Sequence, residues 1–348
     1  MGVLKAILVR GISLACVVLT VLFLLVIVLG LTGVSDRILT SMAEQTLLEI
    51  QKSLMMKIHD PEALEEAMKV QRKLIYASYG LDKPWYLRIP EMVWRVAIFD
   101  LGRTRMIRGF TGSQEISTII LERLPNTILL VTTAVAISAI LGIFIGIRIA
   151  SKPGSILDRI SSYLSAISYA LPSWWTGIVF ILIFAFYLRL FPIGGMYSMP
   201  PPTDPLGRIL DLIWHSILPI LTLVLVMIGG WIYGTRTMVL NIAQEDFVYA
   251  ARLRGLPEKL VRRRYILRVA APPIITNLIL GLAGSLGGSI MVETVFGWPG
   301  MGSLYYQAIT SLEEGLIVAL TYIYTLIYVI ARMILEILYV ILDPRVRY

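Results

Sequence analysis

Two histidines, one cysteine and a scatter of acids are all that this 348-residue chain offers for metal or nucleophilic chemistry. Cys16 stands alone, so neither a disulfide framework nor a thiolate metal site can be built. His59 and His215 are far apart, and neither has a partner at metal-ligand spacing. His215 opens an apolar run and reads as a structural hydrogen-bonding group. The apolar runs hold no acid pair, histidine pair or activated serine, so a membrane enzyme would lack convergent groups. No G-x-x-x-x-G-K-[ST] loop is present to cradle a nucleotide. The chain therefore reads as a non-enzyme that binds no cofactor of its own. The residues suited to contact rather than catalysis lie in Glu245–Thr276, EDFVYAARLRGLPEKLVRRRYILRVAAPPIIT. Ala250 and Ala251 present almost no side chain, so another surface can approach them closely. Gly255 permits a positive φ and a sharp turn, and Pro257 favours a new helix start.

These residues need elements to hold them, and the charge pattern supplies the frame. The chain is 57% hydrophobic and 16% charged, with mean hydropathy +0.78. A soluble domain carries about 45–50% apolar and about 25% charged residues, so this balance is that of a membrane protein. No Asp, Glu, Lys or Arg occurs in 11–35, 124–147, 160–188, 212–235, 269–292 or 315–331. A spanning helix needs roughly 20 apolar residues, so an all-α polytopic protein with six transmembrane helices is expected. The last run is short, but apolar character resumes around Arg332 and Glu336, which are spaced to pair on one helical face. Lys5 and Arg10 before the first run resemble a signal-peptide n-region. That run is long for an h-region and no small-x-small site precedes Ser35, so a retained first span is expected.

The net charge of +8 is placed beside the spans rather than in a nucleic-acid-binding patch. Arg236, Arg252, Arg254, Lys259, Arg262, Arg263, Arg264 and Arg268 face only Glu245, Asp246 and Glu258 in the 236–268 loop. Lys5, Arg10, Arg148, Lys152, Arg159, Arg345 and Arg347 fall on the same side if six spans alternate. The positive-inside rule then puts both termini and this loop on the cytoplasmic side of the membrane.

Between the first two spans, residues 36–123 form a long outer segment with a helical apolar pattern over 36–58. Asp60-Pro61-Glu62 reads as an N-cap, a first-turn proline and a first-turn acid, and Gly80 as the stop of that second helix. The 189–211 loop is rich in Gly and Pro and is expected to be irregular. In the fifth span, Pro272-Pro273 stands near the start, and Gly281, Gly284, Gly287 and Gly288 leave a bare face. That face suits close helix packing, with pore lining as the alternative. Glu293, at the outer end, is the candidate gate or solute contact, weighed against a structural helix-end role. For 241–268 the residues alone leave two readings standing: a helix–turn–helix that docks on another protein, with Glu245 and Asp246 near its start where acids suit the helix dipole, or an amphipathic helix on anionic headgroups.

The pattern DFVYAARLRGL, followed by the basic stretch and Pro-Pro-Ile-Ile-Thr, resembles the cytoplasmic loop of binding-protein-dependent ABC importer permeases. The likeness is to the first permease of the dipeptide/oligopeptide/nickel subgroup. It extends over Gly80-Leu-Asp-Lys-Pro84, Asp100-Leu-Gly-Arg-Thr104, Glu122-Arg-Leu-Pro125, Leu171-Pro-Ser-Trp174, Phe191-Pro-Ile-Gly-Gly195 and His215-Ser-Ile-Leu-Pro219. Val292-Glu-Thr-Val-Phe296, Gly297-Trp-Pro-Gly300 and Leu342-Asp-Pro-Arg-Val-Arg-Tyr348 complete the series, in order across almost the whole chain. The chain departs from the subgroup at Gly33-Val34-Ser35-Asp36, in its longer helical insert, and at Tyr265 and Val269.

The resemblance implies a type I importer permease fold, with a first helix in 1–35, a helical extracytoplasmic insert in 36–123, a transmembrane core in 124–342 and a cytoplasmic tail in 343–348. It implies a second permease, two ATPases carrying ATP and Mg, and an extracytoplasmic substrate-binding protein as partners. Glu245, Asp246, Phe247, Ala250, Ala251, Arg254, Gly255 and Leu256 would form the ATPase-coupling element. Glu293, Gly284 and Gly288 are the candidates for a gate or path. Peptides are the expected cargo, with oligosaccharides or another small solute such as a nickel chelate as alternatives.

Overall fold

The computed structural model describes residues 3–58 and 60–342. His59 and the C-terminal residues 343–348, including Arg345 and Arg347, lie outside the described residues. The regular structure of the described residues is helical, apart from one isolated antiparallel bridge between Arg103 and Glu115, with irregular stretches at 98–115 and 188–204.

Helix α1 (Val3–Leu31) ends at Gly33, whose φ of 65° turns the chain directly into α2 (Val34–Met55). Helix α3 (Pro61–Ser78) returns beside α2, its first turn capped by Asp60 accepting the Glu62 N–H at 3.2 Å. The hairpin closes on a small core of Ala43, Leu47 and Ile75. Helix α4 (Trp85–Ala97) then packs on α1, and Arg88 pairs with Asp36 across the α2 base.

The body follows. Helix α5 (Ile116–Ala150) contains wide, π-type turns at Ile128–Thr132. Helices α6 (Ile156–Ala170) and α7 (Ser173–Tyr187) meet at a bend of 96°. Helix α8 (Pro205–Ala243) has 39 residues and, at about 1.5 Å each, exceeds the roughly 30 Å hydrocarbon layer by several turns. Short helix α9 (Asp246–Leu253) leads through a turn and the wide turns of Val261–Ile266 into α10 (Leu267–Ser285). Helices α11 (Ile290–Val295) and α12 (Met301–Thr310) precede the last long helix, α13 (Glu314–Leu342). Five stretches among the described residues are long and apolar enough to cross a membrane, and the α6–α7 pair makes a sixth if counted as one span.

Three expectations need correction. The 160–188 run is not one straight span. Leu171 is extended (ψ 122°) before Pro172, because a residue preceding proline is pushed out of the α region and the ring supplies no N–H. Pro272 and Pro273 lie inside α10 rather than at its start, and Gly287 and Gly288 fall beyond its end. Glu336 pairs with Arg10 of α1 rather than with Arg332, because burial beside α1 offers it a partner across helices.

Packing relies on small residues, as expected where lipid removes any hydrophobic preference between helices. Ala134, Ser138, Ala139, Gly142 and Gly146 are buried on α5, and a side chain at Gly142 would run into Trp231 of α8. One apolar core joins Leu22 of α1 to Ile116, Ile119, Leu304, Leu316 and Leu320 at the end of the bundle that bears α2–α4. A second joins Leu130 and Leu218 to Val292, Phe296 and Trp298. A third lies at the α9 end.

Candidate functional site

At the α9 end, local sequence explains a rigid projecting helix. Val248 and Ala251, three apart, face inward and pack with Val261, Ile266 and Ala270. Leu256 adds a half-buried contact to the same cluster. The helix stops at Arg254, and Gly255 takes φ 72°, its N–H reaching the Arg252 carbonyl at 2.9 Å. Arg252 turns back to Glu258 with nitrogen–oxygen distances of 3.0 and 3.2 Å, closing the turn. The opposite face is open. Phe247 is 41%, Tyr249 63% and Leu253 71% exposed, with Glu245, Asp246, Ala250 and Arg254 exposed around them. The two alanines thus part company. Ala250 faces out, whereas Ala251 is small because it is packed inside the loop's own core.

The other end of the body is organised around Glu293, which is fully buried. Its carboxylate accepts the Ser303 N–H at 2.8 Å, the Ser289 N–H at 3.2 Å and the Thr127 hydroxyl at 3.1 Å. Thr127 in turn accepts the Met301 N–H at 2.7 Å. Trp298, also buried, donates its indole N–H to the Asn126 carbonyl at 2.9 Å, and the Asn126 amide donates to the Pro299 carbonyl at 2.8 Å. Residues 288–303 are therefore folded about one carboxylate and clasped to α5. In this conformation the geometry gives Glu293 the work of holding a hairpin rather than of meeting a solute.

Between these ends is a cavity of about 680 Å³, walled by α5, the end of α6, α8 and α10. Gly284 and Gly288 line it, with Gly281, Ser285 and Ser289. Glu293 does not line it, but holds Ser289 by its N–H. No charged side chain is among the lining residues, and Tyr169, Thr235, Asn277, Ser285 and Ser289 are the polar ones. Sequence reasoning missed Tyr169, Trp231 and Asn277. Asn277 carried a usable signal as a lone amide within an uncharged run, whereas Tyr169 reaches the cavity only because the chain bends just after it.

A family model described as the binding-protein-dependent transport system inner membrane component matches residues 142–348, which include α8, α9, the cavity wall of α10 and the Glu293 hairpin. The chain is 32% identical over 292 residues to an oligopeptide transport system permease protein of Bacillus subtilis, covering 83% of this chain and 90% of that one. It is 33% identical over 276 residues to a putative peptide transport system permease protein of Brucella abortus, at 79% and 84% coverage. A dipeptide transport system permease protein of Lactococcus lactis is 29% identical over 283 residues, at 80% and 86% coverage. A family model that matches more than half of the chain, together with a relative 32% identical along 83% of it, makes this chain a member of the binding-protein-dependent transport system inner membrane component family.

Proposed function

We propose that this protein is one permease half of an ABC importer that moves oligopeptides or dipeptides across the cell membrane, with ATP hydrolysis supplied by partner subunits. The observation that carries this reading is α9, a helix packed on the body through Val248 and Ala251 that leaves Phe247, Tyr249, Ala250 and Leu253 exposed among the described residues. Apolar side chains beside a ring of charge, on a helix that cannot swivel, suit a groove on a second protein. A helix resting on headgroups would instead bury its apolar face in lipid and turn its cations outward. The surplus of basic residues in 236–268 supports a cytoplasmic α9, with α2–α4 outside.

The cycle then follows from differential binding. Two ATPases close on ATP and Mg, drag α9 and its counterpart on a second permease, and shift the pair between inward-facing and outward-facing arrangements. The uncharged cavity admits a chain of variable side chains, and selection falls to an extracytoplasmic binding protein. The relatives' names support peptide as cargo. Oxidative crosslinking tests the docking. With Cys16→Ser as background, because Cys16 is exposed, Ala250→Cys should link to single cysteines along the ATPase groove. Failure at every groove position, with Ala250→Cys protected by lipid, would replace docking by headgroup binding.

A further inference from the structure

A second hollow belongs to none of this machinery. Helix α7 widens into π-type turns over Ile181–Tyr187, after which the Leu190 and Phe191 N–H groups fold back onto the Phe184 carbonyl at 2.8 and 3.4 Å. The result is a cavity of about 330 Å³ between α7 and α8, lined only by Phe, Leu, Val and Ile residues, Phe184, Phe191, Leu218, Leu221 and Leu225 among them. Such a lining offers water no hydrogen bond and a peptide no polar contact. On α8 the solute cavity uses Met227, Gly230, Trp231 and Gly234, whereas this hollow uses Leu218, Leu221, Leu225 and Ile228. At 3.6 residues per turn those two sets point about a third of a turn apart. The hollow therefore lies on a different face of α8 from the solute cavity. Its rim continues into exposed Leu182, Phe186 and Leu190. Arg189 is exposed, two residues before Phe191, and makes no ion pair among the described residues.

We infer that this hollow is a phospholipid site, with one acyl chain laid between α7 and α8 and the headgroup phosphate held by Arg189. The π-type turns make the slot, the aromatic rings flank the chain, and the lone guanidinium supplies the charge that phosphate complements.

The test uses the intact complex in nanodiscs of phosphatidylglycerol doped with a phospholipid carrying a diazirine on its acyl chain. Crosslinks should concentrate in 180–191 and 218–228 of this chain, and native mass spectrometry should show one tightly retained phosphatidylglycerol. Leu221→Trp, which fills the slot, and Arg189→Gln, which keeps it but removes the charge, should each weaken retention by roughly tenfold. Crosslinks spread evenly over all apolar helices, or retention unchanged in both variants, would overturn the site. So would capture of the second permease by a photoreactive phenylalanine analogue placed at Leu221. Peptide uptake measured alongside keeps this result separate from the transport reading, since loss of the lipid site leaves the α9 and cavity residues in place.

Discussion

Single residues here act through what surrounds them. Gly255 has φ 72° and open space where a Cβ would stand, so a substitution there is resisted by the backbone and not by a neighbour. Gly255→Val should therefore abolish uptake and ATPase association while membrane insertion persists, and Gly255→Asn, which tolerates a positive φ, should keep much of both. Co-purification of the ATPase with each variant gives the answer, and equal recovery in Gly255→Val would remove the turn from the docking element. Glu293 serves a different purpose. Glu293→Ala leaves the buried Ser303 N–H and Thr127 hydroxyl, and the part-buried Ser289 N–H, without their acceptor, at about 1–3 kcal/mol for each buried stranded donor. The expected outcome is a clear drop in thermal unfolding temperature in detergent, with protection of 288–303 against hydrogen exchange lost first. Glu293 was legible in the sequence as a singular acid at a span's end, but its Thr127 donor comes from a segment 166 residues away and could not be read there.

At the scale of elements, the start of α6 is anchored to α8 by Asp158, which is 2% exposed and takes Arg236 of α8 on both carboxylate oxygens, the Nη2–Oδ2 distance being 2.8 Å. Asp158 also accepts the Gly154 N–H at 2.9 Å. Removing one partner of a buried pair leaves a charge stranded, typically at about 3–5 kcal/mol, a figure softened here because the Arg236 side chain is 21% exposed. Asp158→Asn should thus raise hydrogen exchange along α6, and the double variant Asp158→Asn with Arg236→Gln should recover much of the loss. No recovery would mean that the Gly154 bond, and not the ion pair, holds α6. Proline shows how far sequence carries an element. Pro172 breaks a run into two helices, while Pro125, Pro219, Pro272 and Pro273 sit inside helices. The ring's missing N–H is the same in each case, so the proline alone does not decide whether a helix breaks.

For the molecule as a whole, α5 and α8 contribute both to the core beneath α9 and to the core that holds Val292, Phe296 and Trp298 of the hairpin. Gly284 lines the cavity with nothing near its missing Cβ, so Gly284→Trp is expected to occupy the cavity and tests it as the solute path. Uptake should fall to background while the ATPases still co-purify and still hydrolyse ATP. Undiminished uptake would show that solute passes elsewhere. The pair Arg10–Glu336 ties the first helix to the last, which couples α1 and the α2–α4 insert to the body that the family model covers.

The sequence alone was sufficient for the number and order of apolar segments, because a bilayer demands long uncharged runs whatever packs against them. It also showed the α9 turn, since Gly255 and Pro257 act through local backbone geometry, and the Asp60 cap, which spans only two residues. Tertiary structure decided which of two adjacent alanines faces outward, which arginine holds Glu336, where a proline bends the chain and which residues wall the cavity. Each of those outcomes depends on contacts between segments tens or hundreds of residues apart, where packing and burial rather than local propensity choose the partner.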